Sequence, residues 1–287
     1  MIWVDGRIVA DDDLKISVLD RTFEHGLGLF ETFRTWNGRA PLLDRHLARL
    51  ERSARELGIP LDSVSLPDRF AVEKLVEREG IGENVALRIT LTGGRDAVHG
   101  STLFMKARPL PAEMRHDGAV VDIGNWIVSG EDDALARHKS LNYWARRRAH
   151  ESAKALGFDE TVSSFQLASI GLAALEGSRT NVFFLIGETL TTPSLSLPIV
   201  PGIMRELVIE LADELGLSIV EKAPFVVENL DRVKEVFLTN SVRGIIPVQK
   251  LVRTEPFKLH QWPAPGPLTR LLMILASDWL QRQGNVS

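Results

Sequence analysis

The stretch that decides the fold reads Glu176-Gly177-Ser178-Arg179-Thr180-Asn181-Val182-Phe183-Phe184. It places one carboxylate and several hydroxyl and amide side chains before an apolar run, and the run from Asn181 to Ile186 predicts a strand. Two other polar groups lie upstream and downstream of it: Lys139-Ser140-Leu141-Asn142-Tyr143 and Leu238-Thr239-Asn240-Ser241. Between the stretch and the downstream group, Pro201-Gly202 precedes a predicted helix. These groups are the candidates for chemistry.

Together the groups offer the parts that bound pyridoxal 5'-phosphate requires. Lys139 can form a Schiff base, and Glu176 can hold a proton on a pyridine nitrogen. The start of the helix after Gly202 offers backbone N–H groups to a phosphate, and nearby hydroxyls can bind the same phosphate. We therefore expect pyridoxal 5'-phosphate as the cofactor.

Composition excludes several other classes of protein. The chain has 287 residues, of which 44% are hydrophobic and 25% charged, and this length predicts one large domain or two ordinary ones. The absence of cysteine excludes disulfides, thiolate nucleophiles and zinc–thiolate sites. Seven histidines at scattered positions give no paired ligand spacing, so we expect no metal site.

Charge and hydropathy argue against nucleic-acid and membrane partners. The formal net charge is −4, and the first residues lack the pattern of a signal peptide. No stretch approaches the ~18 uncharged apolar residues of a membrane span, so we expect a cytoplasmic protein. The basic run Ala145-Arg146-Arg147-Arg148-Ala149-His150 could touch nucleic acid. Because the run lacks interleaved aromatic residues, we expect a solvated helix face instead.

Hydrophobic periodicity predicts two domains joined by a linker. Their bounds are 1–110 for a small N-terminal domain, 111–122 for the linker and 123–287 for a larger C-terminal domain. In the first domain Asp5-Gly6 predicts a hairpin turn, and strict alternation over Ala86–Thr92 predicts a half-buried strand. A helix is expected over Leu43–Leu57. Arg108-Pro109-Leu110-Pro111 interrupts the pattern, and a helix over Asn142–Leu156 is expected beyond it.

The motifs, in this order and spacing, resemble one known family. The stretches that carry the resemblance are His25–Arg34, His46–Leu50, the lysine group, the glutamate group and Thr239–Val248. They are similar to the class IV aminotransferases, the fold-type-IV pyridoxal-phosphate family of branched-chain aminotransferases, D-amino acid aminotransferases and aminodeoxychorismate lyases. The resemblance implies an α+β fold with a small N-terminal α/β domain and a larger C-terminal β-barrel-like domain with helices. It also implies a homodimer.

The resemblance assigns cofactor contacts to particular residues. Lys139 resembles the Schiff-base lysine, which also moves the substrate Cα proton, and Glu176 would pair with the pyridine nitrogen. Arg49 resembles the phosphate-binding arginine, although a solvated helix-face charge is the alternative. Tyr143 would lie near the phenolic oxygen, but its spacing from Lys139 is shorter than in branched-chain enzymes, which leaves plain packing open. The other cofactor contacts that the resemblance implies are Ser178, Asn181, Ile203, Met204, Asn240 and Ser241.

Substrate contacts follow from the same resemblance, and they are Phe30, Thr32, Arg34, Arg88, Val242 and Arg243. Thr32 falls where the lyases carry a threonine implicated in elimination, whereas branched-chain enzymes favour glycine there. Arg88 and Arg243 could each hold one of the two carboxylates of aminodeoxychorismate, with structural ion pairs as the alternative. The expected activity is release of pyruvate and 4-aminobenzoate from aminodeoxychorismate. Transamination of a D-amino acid or a branched-chain amino acid is the alternative.

Overall fold

A computed structural model describes residues 1–61, 64–96, 100–111, 118–124, 126, 133–167, 171–221, 225–254 and 257–285. The chain forms two compact units. The first unit comprises Met1–Ala112, His138–Asn142 and Asp278–Ser287, and the second comprises Glu113–Arg137 and Tyr143–Ser277. The units are thus discontinuous in sequence, whereas the predicted domains are continuous. Of the predicted linker, residues 112–117 lie outside the described residues and 119–122 belong to a strand.

The first unit is an antiparallel sheet with helices on one face. Its elements are β1 (Ile2–Val4), β2 (Arg7–Val9), α1 (Arg21–His25), β3 (Gly28–Arg34), α2 (Leu43–Glu56), α3 (Arg69–Glu79), β4 (Val85–Thr92) and β5 (Leu103–Pro109). The strand order is β2-β1-β5-β4-β3. Asp5 and Gly6, with φ of 47° and 76°, join β1 to β2 as the sequence predicts.

Alternation along β3 and β4 separates a buried face from a polar face. Leu87, Ile89 and Leu91 of β4 are fully buried and pack in one core with Leu50 of α2 and Leu75 of α3. The residues between them on β4 point to the other face, because successive side chains of a strand alternate. The alternation predicted for this strand is therefore confirmed.

The second unit is built around a closed ring of strands. Its elements are β6 (Ala119–Gly124), α4 (Trp144–Ala155), β7 (Glu160–Leu167), β8 (Gly171–Gly177), β9 (Asn181–Ile186), β10 (Thr189–Thr191), α5 (Ile203–Glu214), β11 (Ser218–Val220), β12 (Phe225–Val226), β13 (Val233–Asn240), β14 (Gly244–Thr254), β15 (Phe257–Gln261) and the first part of α6 (Pro267–Asn285). Pairing runs from β9 through β13, β14, β6, β7 and β8 and returns to β9. This closure confirms the barrel-like domain that the family resemblance implies.

The ring mixes parallel and antiparallel neighbours. β6 pairs in parallel with both β14 and β7, and the other pairs of the ring are antiparallel. Apolar side chains from these strands, among them Val121, Val162, Phe184 and Leu238, form the core of the unit. A closed ring leaves no unpaired edge among its own strands.

Helix α4 begins at Trp144, two residues later than the predicted start at Asn142. Residues 138–142 lie outside the helix and belong to the first unit, where Ser140 bridges Leu29 of β3. Pairing with a strand so distant in sequence overrides the local helical pattern. The C-terminal part of α6 also belongs to the first unit, where the Arg45 guanidinium lies 5.7 Å from the Trp279 ring centroid.

Within the described ranges, no helix has the length and apolar character that crossing a membrane requires. The same part of the chain contains no group of three or more His, Cys, Asp and Glu side chains arranged to hold a metal ion.

Candidate active site

Lys139 is fixed through its backbone to the start of β3. The Phe30 N–H donates to the Lys139 carbonyl at 2.8 Å, and the Leu141 N–H donates to the Gly28 carbonyl at 2.9 Å. These two bonds hold the segment beside the strand for a short distance. The lysine backbone is thus positioned by β3, although the residues that follow Asn142 belong to the other unit.

Gly28 makes this close approach possible. A Cβ atom at this position would lie 2.5 Å from Leu141 Cδ1 and 2.8 Å from the Leu91 carbonyl oxygen. The backbone φ of +143° is also one that residues with side chains rarely adopt. Glycine at the start of β3 is therefore a packing requirement of the segment that carries Lys139.

Two positive groups lie over the ring of Phe30 on the polar face of the sheet. Lys139 Nζ is 4.5 Å from the ring centroid and the Arg88 guanidinium carbon is 3.8 Å from it. Thr32 is directly opposite Arg88 in the β3–β4 register and shares the face of Phe30. The structure therefore brings together the predicted lysine and three of the predicted substrate contacts. Arg34, two residues further along β3, lies 4.1 Å from the Trp36 ring centroid.

Glu31, on the opposite face of β3, forms a buried cluster with Arg49 and His46 of α2. Arg49 Nε donates to Glu31 Oε1 at 2.8 Å and Arg49 Nη2 donates to Oε2 at 2.5 Å, while His46 Nδ1 lies 2.7 Å from Oε2. Burial would raise the pKa of Glu31, but Arg49 and His46 outweigh it and hold the pKa at about 2. Burial lowers the pKa of His46. Arg49 is thus buried against a carboxylate, so the alternative of a solvated helix-face charge is wrong.

Glu176, at the end of β8, is buried and surrounded by donors of the second unit. Its Oε2 accepts from Asn181 Nδ2 at 3.3 Å and from the Val200 N–H at 3.1 Å. Its Oε1 accepts from Arg146 Nη2 of α4. The alternation of β8 and the turn after Gly177 place Glu176 directly opposite Asn181 of β9. A carboxylate held in this way can stay ionised in a buried place.

Arg147 and Arg148 form the solvated basic face that was expected on α4, but Arg146 departs from it. Its side chain is only 13% exposed, and its guanidinium lies 5.6 Å from the Trp126 ring centroid and 5.8 Å from that of Tyr143. Sequence reasoning treated the basic run as one surface because it counted charges instead of applying the helical period. Residues 146, 149 and 153 follow that period, and Ala149 and Ala153 are buried, so the period would have identified Arg146.

Tyr143 and Ser178 are joined by a hydrogen bond. The phenolic O–H of Tyr143 donates to the Ser178 carbonyl at 3.1 Å, and burial raises the pKa of Tyr143. Ser178 is buried, its hydroxyl donates to Glu160 Oε1, and its N–H donates to the same oxygen at 3.2 Å. Both residues thus belong to a polar network of the second unit that also contains the buried carboxylate of Glu160.

The start of α5 offers backbone donors, and its N-cap residue has no side chain with which to cap them. Gly202 is the residue before the helix and makes no side-chain cap bond, and the buried Ile203 and Met204 form the first turn. A Cβ at Gly202 would lie 1.8 Å from Asn181 Oδ1, so glycine permits the helix to start against β9. The N–H groups and the dipole of a helix start attract anions.

The turn after β13 lies at the end of the ring and presents further polar groups. Asn240 Oδ1 accepts from the N–H groups of Val242 and Arg243 at 2.9 and 2.8 Å, which fixes the turn around Ser241. Thr239, just before it, was not among the predicted contacts. Its Oγ1 is buried and has no hydrogen-bond partner among the described residues, which is unusual for a native hydroxyl.

These observations fit the predicted cofactor. A buried carboxylate suits a protonated pyridine nitrogen, an uncapped helix start suits a phosphate, and the buried Thr239 hydroxyl gains a partner if a polar ligand binds. Of the predicted contacts, the second unit holds Tyr143, Glu176, Ser178, Asn181, Ile203, Met204, Asn240, Ser241, Val242 and Arg243, and the first unit holds Phe30, Thr32, Arg34, Arg49, Arg88 and Lys139.

Comparison with known proteins agrees with this chemistry. The family model described as Amino-transferase class IV matches residues 28–251. The chain is 30% identical over 262 residues to the aminodeoxychorismate lyase of Bacillus subtilis, covering 88% of this chain and 86% of the relative. It is 32% identical over 263 residues, 86% of each chain, to a protein of Methanocaldococcus jannaschii provisionally named a branched-chain-amino-acid aminotransferase.

A solved structure has the same fold. The T.th. branched-chain amino acid aminotransferase, determined with pyridoxamine 5'-phosphate, superimposes with a TM-score of 0.81 at 21% identity. The match covers 98% of this chain and 94% of that one. Since the family model spans most of the chain and two relatives reach 30% identity over nearly their whole length, the chain belongs to the class IV aminotransferases, a family of enzymes whose cofactor is pyridoxal 5'-phosphate.

Proposed function

We propose that this chain is an aminodeoxychorismate lyase that uses pyridoxal 5'-phosphate and releases pyruvate and 4-aminobenzoate. The observation that carries the proposal is the polar face on which Lys139 and Arg88 lie over the Phe30 ring, with Thr32 opposite Arg88. The amine can remove a proton from the substrate, and the guanidinium can bind the substrate's carboxylate. The hydroxyl can donate to the oxygen of the leaving group. The 30% identity to a lyase supports the proposal.

In the proposed reaction Lys139 Nζ removes the proton from the substrate carbon that bears the amino group. The electron pair forms a ring double bond as the C–O bond to the enolpyruvyl group breaks, and the pyruvate enolate that leaves with the C–O electron pair takes up one proton at its CH2 carbon to become pyruvate. The ring becomes aromatic, so the reaction needs no oxidant or reductant. When bound, pyridoxal 5'-phosphate supplies an electron sink that stabilises negative charge on the deprotonated carbon.

The proposal gives two sets of residues contacts with the substrate: Phe30, Thr32, Arg34 and Arg88 of the first unit, and Val242 and Arg243 of the second unit. Arg88 and Arg243 each bind one carboxylate, because a planar guanidinium matches a carboxylate with two parallel hydrogen bonds. Thr32 donates its hydroxyl proton toward the departing oxygen. Phe30, Arg34 and Val242 shape the surface around the substrate.

The remaining predicted residues hold the cofactor in this proposal. Glu176 keeps the ring nitrogen protonated, with Asn181 holding its carboxylate. In the second unit the N–H groups of Ile203 and Met204 bind the phosphate together with the Ser241 hydroxyl. Arg49, in the first unit, has the phosphate-binding role that the family resemblance implies. Tyr143, Ser178 and Asn240 complete the polar surroundings.

Transamination is the second candidate, and one observation favours it. The relative with 32% identity is provisionally named an aminotransferase, and this identity slightly exceeds that to the lyase. In transamination Lys139 would return the proton to the carbon on the cofactor side instead of completing an elimination. The substrate would then be an amino acid and the partner substrate a 2-oxo acid.

Cofactor binding is tested by colour and by reduction. The purified protein mixed with pyridoxal 5'-phosphate should turn yellow, and borohydride should fix the cofactor covalently to it. Lys139→Ala should retain no cofactor after reduction and dialysis, whereas Lys154→Ala, which changes an exposed lysine of α4, should behave like the wild type. A wild type that stays colourless with added cofactor would contradict the proposal.

Product analysis separates the two activities. The wild type and a Thr32→Gly variant are given aminodeoxychorismate, and 4-aminobenzoate is measured by its fluorescence. In parallel, each protein is given D- and L-amino acids with a 2-oxo acid, and new oxo acid is measured. The lyase proposal expects 4-aminobenzoate from the wild type and a loss with Thr32→Gly. Oxo-acid formation without 4-aminobenzoate would replace the first candidate with the second.

We also propose that the chain forms a homodimer, as the family resemblance implies. Val18, Leu19 and Phe23 of the first unit are 79%, 57% and 62% exposed, which makes an apolar surface of the kind found at protein interfaces. Light scattering should give twice the mass of 31.9 kDa for the wild type. A monomer at micromolar concentration would contradict this part of the proposal.

A further inference from the structure

Arg146 carries a charge in a buried position, where an uncompensated charge is unfavourable. Its side chain is 13% exposed, and its Nη2 atom donates to the Ala136 carbonyl at 3.3 Å and to Glu176. Burial alone would lower the pKa of Arg146, but Glu176, with further help from Tyr143 and Glu160, raises it above its usual value. The guanidinium therefore stays charged, and Glu176 is the carboxylate that compensates it.

When the cofactor is bound, two positively charged groups would therefore interact with the Glu176 carboxylate. Arg146 contacts Oε1, and a protonated ring nitrogen would be the second. Asn181 and the Val200 N–H, which hold Oε2, are neutral donors. A carboxylate that already compensates one cation stabilises a second cation less, because each attraction is reduced by the repulsion between the two positive groups.

We propose that Arg146 is a positioning residue that weakens the hold of Glu176 on the ring-nitrogen proton of pyridoxal 5'-phosphate. The inference rests on the proposed cofactor role of Glu176 and adds a second residue that acts through it. Arg146 pairs with Glu176 in the absence of cofactor and limits how strongly the ring withdraws electrons in its presence. Arg146, one residue of the basic run on α4, thus contributes to the proposed chemistry.

The test compares pyridoxal 5'-phosphate with an analogue in which a C–H group replaces the ring nitrogen. The ratio of their dissociation constants reports the interaction at the ring nitrogen and cancels effects shared by both ligands. For Arg146→Gln we expect the preference for pyridoxal 5'-phosphate to rise about tenfold, because a charge in contact shifts a neighbouring proton equilibrium by roughly one unit or more. Arg146→Lys keeps the charge and should stay near the wild-type ratio.

Arg147→Gln is the matched control, since Arg147 is the next residue of α4, is 71% exposed and pairs with Glu151. It should leave the ratio unchanged. A ratio that is unchanged or lower in Arg146→Gln overturns the proposal, because a purely structural role would weaken both ligands equally. A wild type that binds neither ligand overturns the proposed cofactor use and this inference together.

A second measurement uses the wild type alone if Arg146→Gln does not fold. The bound cofactor, labelled with ¹⁵N in the ring, is titrated by NMR between about pH 6 and pH 10. We expect the ring nitrogen to lose its proton within this range, since Arg146 competes for Glu176. A nitrogen that stays protonated throughout the range overturns the proposal while leaving the cofactor role of Glu176 intact.

Discussion

Each of the two units contains a buried carboxylate paired with a helix arginine, and the two pairs differ in their other partners. In the first unit, Glu31 receives both Nε and Nη2 of Arg49 and is also in contact with His46. In the second unit, Glu176 receives Nη2 of Arg146, the side-chain amide of Asn181 and the Val200 N–H. The first carboxylate is held by side chains of one helix, and the second is held from three separate segments.

From this difference we expect the Glu31 pair to contribute to stability and, under the proposed function, the Glu176 pair to contribute to the chemistry of the cofactor. The Arg49 guanidinium and the His46 ring join α2 to β3 through Glu31. We therefore expect substitution of Glu31 to lower the free energy of unfolding. The donors around Glu176 orient its carboxylate beside a turn. A fixed orientation of the carboxylate favours binding of a ligand that donates to it. The same pair of residue types can thus serve either purpose, and the neighbouring donors show which.

The largest effect is expected from Glu31→Gln, which leaves the Arg49 charge buried without its compensating carboxylate. We expect the free energy of unfolding to fall by about 3–5 kcal/mol. Urea denaturation of the wild type, the variant and the pair Glu31→Gln with Arg49→Met measures it. The double variant should lose less than the sum of the single changes, and a loss below about 1 kcal/mol for Glu31→Gln would remove the distinction between the two pairs.

A smaller effect is expected from Glu176→Gln, and it should appear in the catalytic rate. A neutral amide cannot compensate a protonated ring nitrogen, so we expect kcat to fall about 100-fold with saturating cofactor. The folded variant should still bind pyridoxal 5'-phosphate through Lys139. Steady-state kinetics beside a cofactor titration checks both statements, and full activity of the variant would show that Glu176 is as structural as Glu31.

The pH dependence of stability sharpens the first half of the comparison. The pKa of Glu31 is about 2 in the folded chain against an ordinary value of 4.5, so its contribution is complete above about pH 4.5 and is lost as the pH falls toward 2. The stability difference between the wild type and Glu31→Gln should shrink over this interval. Urea midpoints at a series of pH values measure it, and a difference independent of pH would contradict the assignment.

His46 should add an earlier loss of stability. Burial lowers its pKa below 6.5, so the unfolded chain takes up the proton first and stability falls as the pH drops below about 6.5. The slope from one group is at most about 1.4 kcal/mol per pH unit. His46→Asn should flatten the wild-type curve between about pH 6.5 and pH 5, and an identical slope in both proteins would contradict this role.

The smallest effect is expected at Arg147, next to Arg146 on α4. Its side chain is 71% exposed and its ion pair with Glu151 faces solvent, so Arg147→Ala should change the free energy of unfolding by about 0.5 kcal/mol or less. Thermal unfolding beside Arg146→Ala measures the contrast. Similar losses for the two neighbours would mean that burial does not distinguish them.

Local patterns predicted much of the fold. The Asp5-Gly6 turn, the alternation of β4 and the strand over Asn181–Ile186 follow from side chains next to one another in sequence, and the structure has all three. The closed ring of the second unit was expected from the family resemblance alone. The turn between β8 and β9 is local, but no local pattern shows that β13 pairs with β9 or that β14 pairs with β6, because those strands are distant in sequence.

The candidate site was predictable where a motif carries it and less so elsewhere. Lys139, Phe30 and Arg88 lie together in the structure, with strand alternation and register placing two of them, and their roles stay predictions. The start of α4 was set two residues too early because Ser140, in the segment before it, pairs with β3. Burial of Arg146 follows from the helical period that it shares with Ala149 and Ala153, whereas its partner, Glu176, is 30 positions away along the chain and could not be predicted from a local pattern.

The pairing between β8 and β9, which closes the ring, affects which substitutions this chain can accept during evolution. Among the described residues, β8 and β9 share the single register pair Glu176–Asn181, the shortest pairing in the ring. A closed ring cannot fray from an edge, so its first opening should occur where neighbouring strands share least. Glu176 and Asn181 are also the residues to which the proposed function gives contacts with the cofactor. Under that proposal, a substitution at either position that changes the chemistry also changes the pairing that closes the ring.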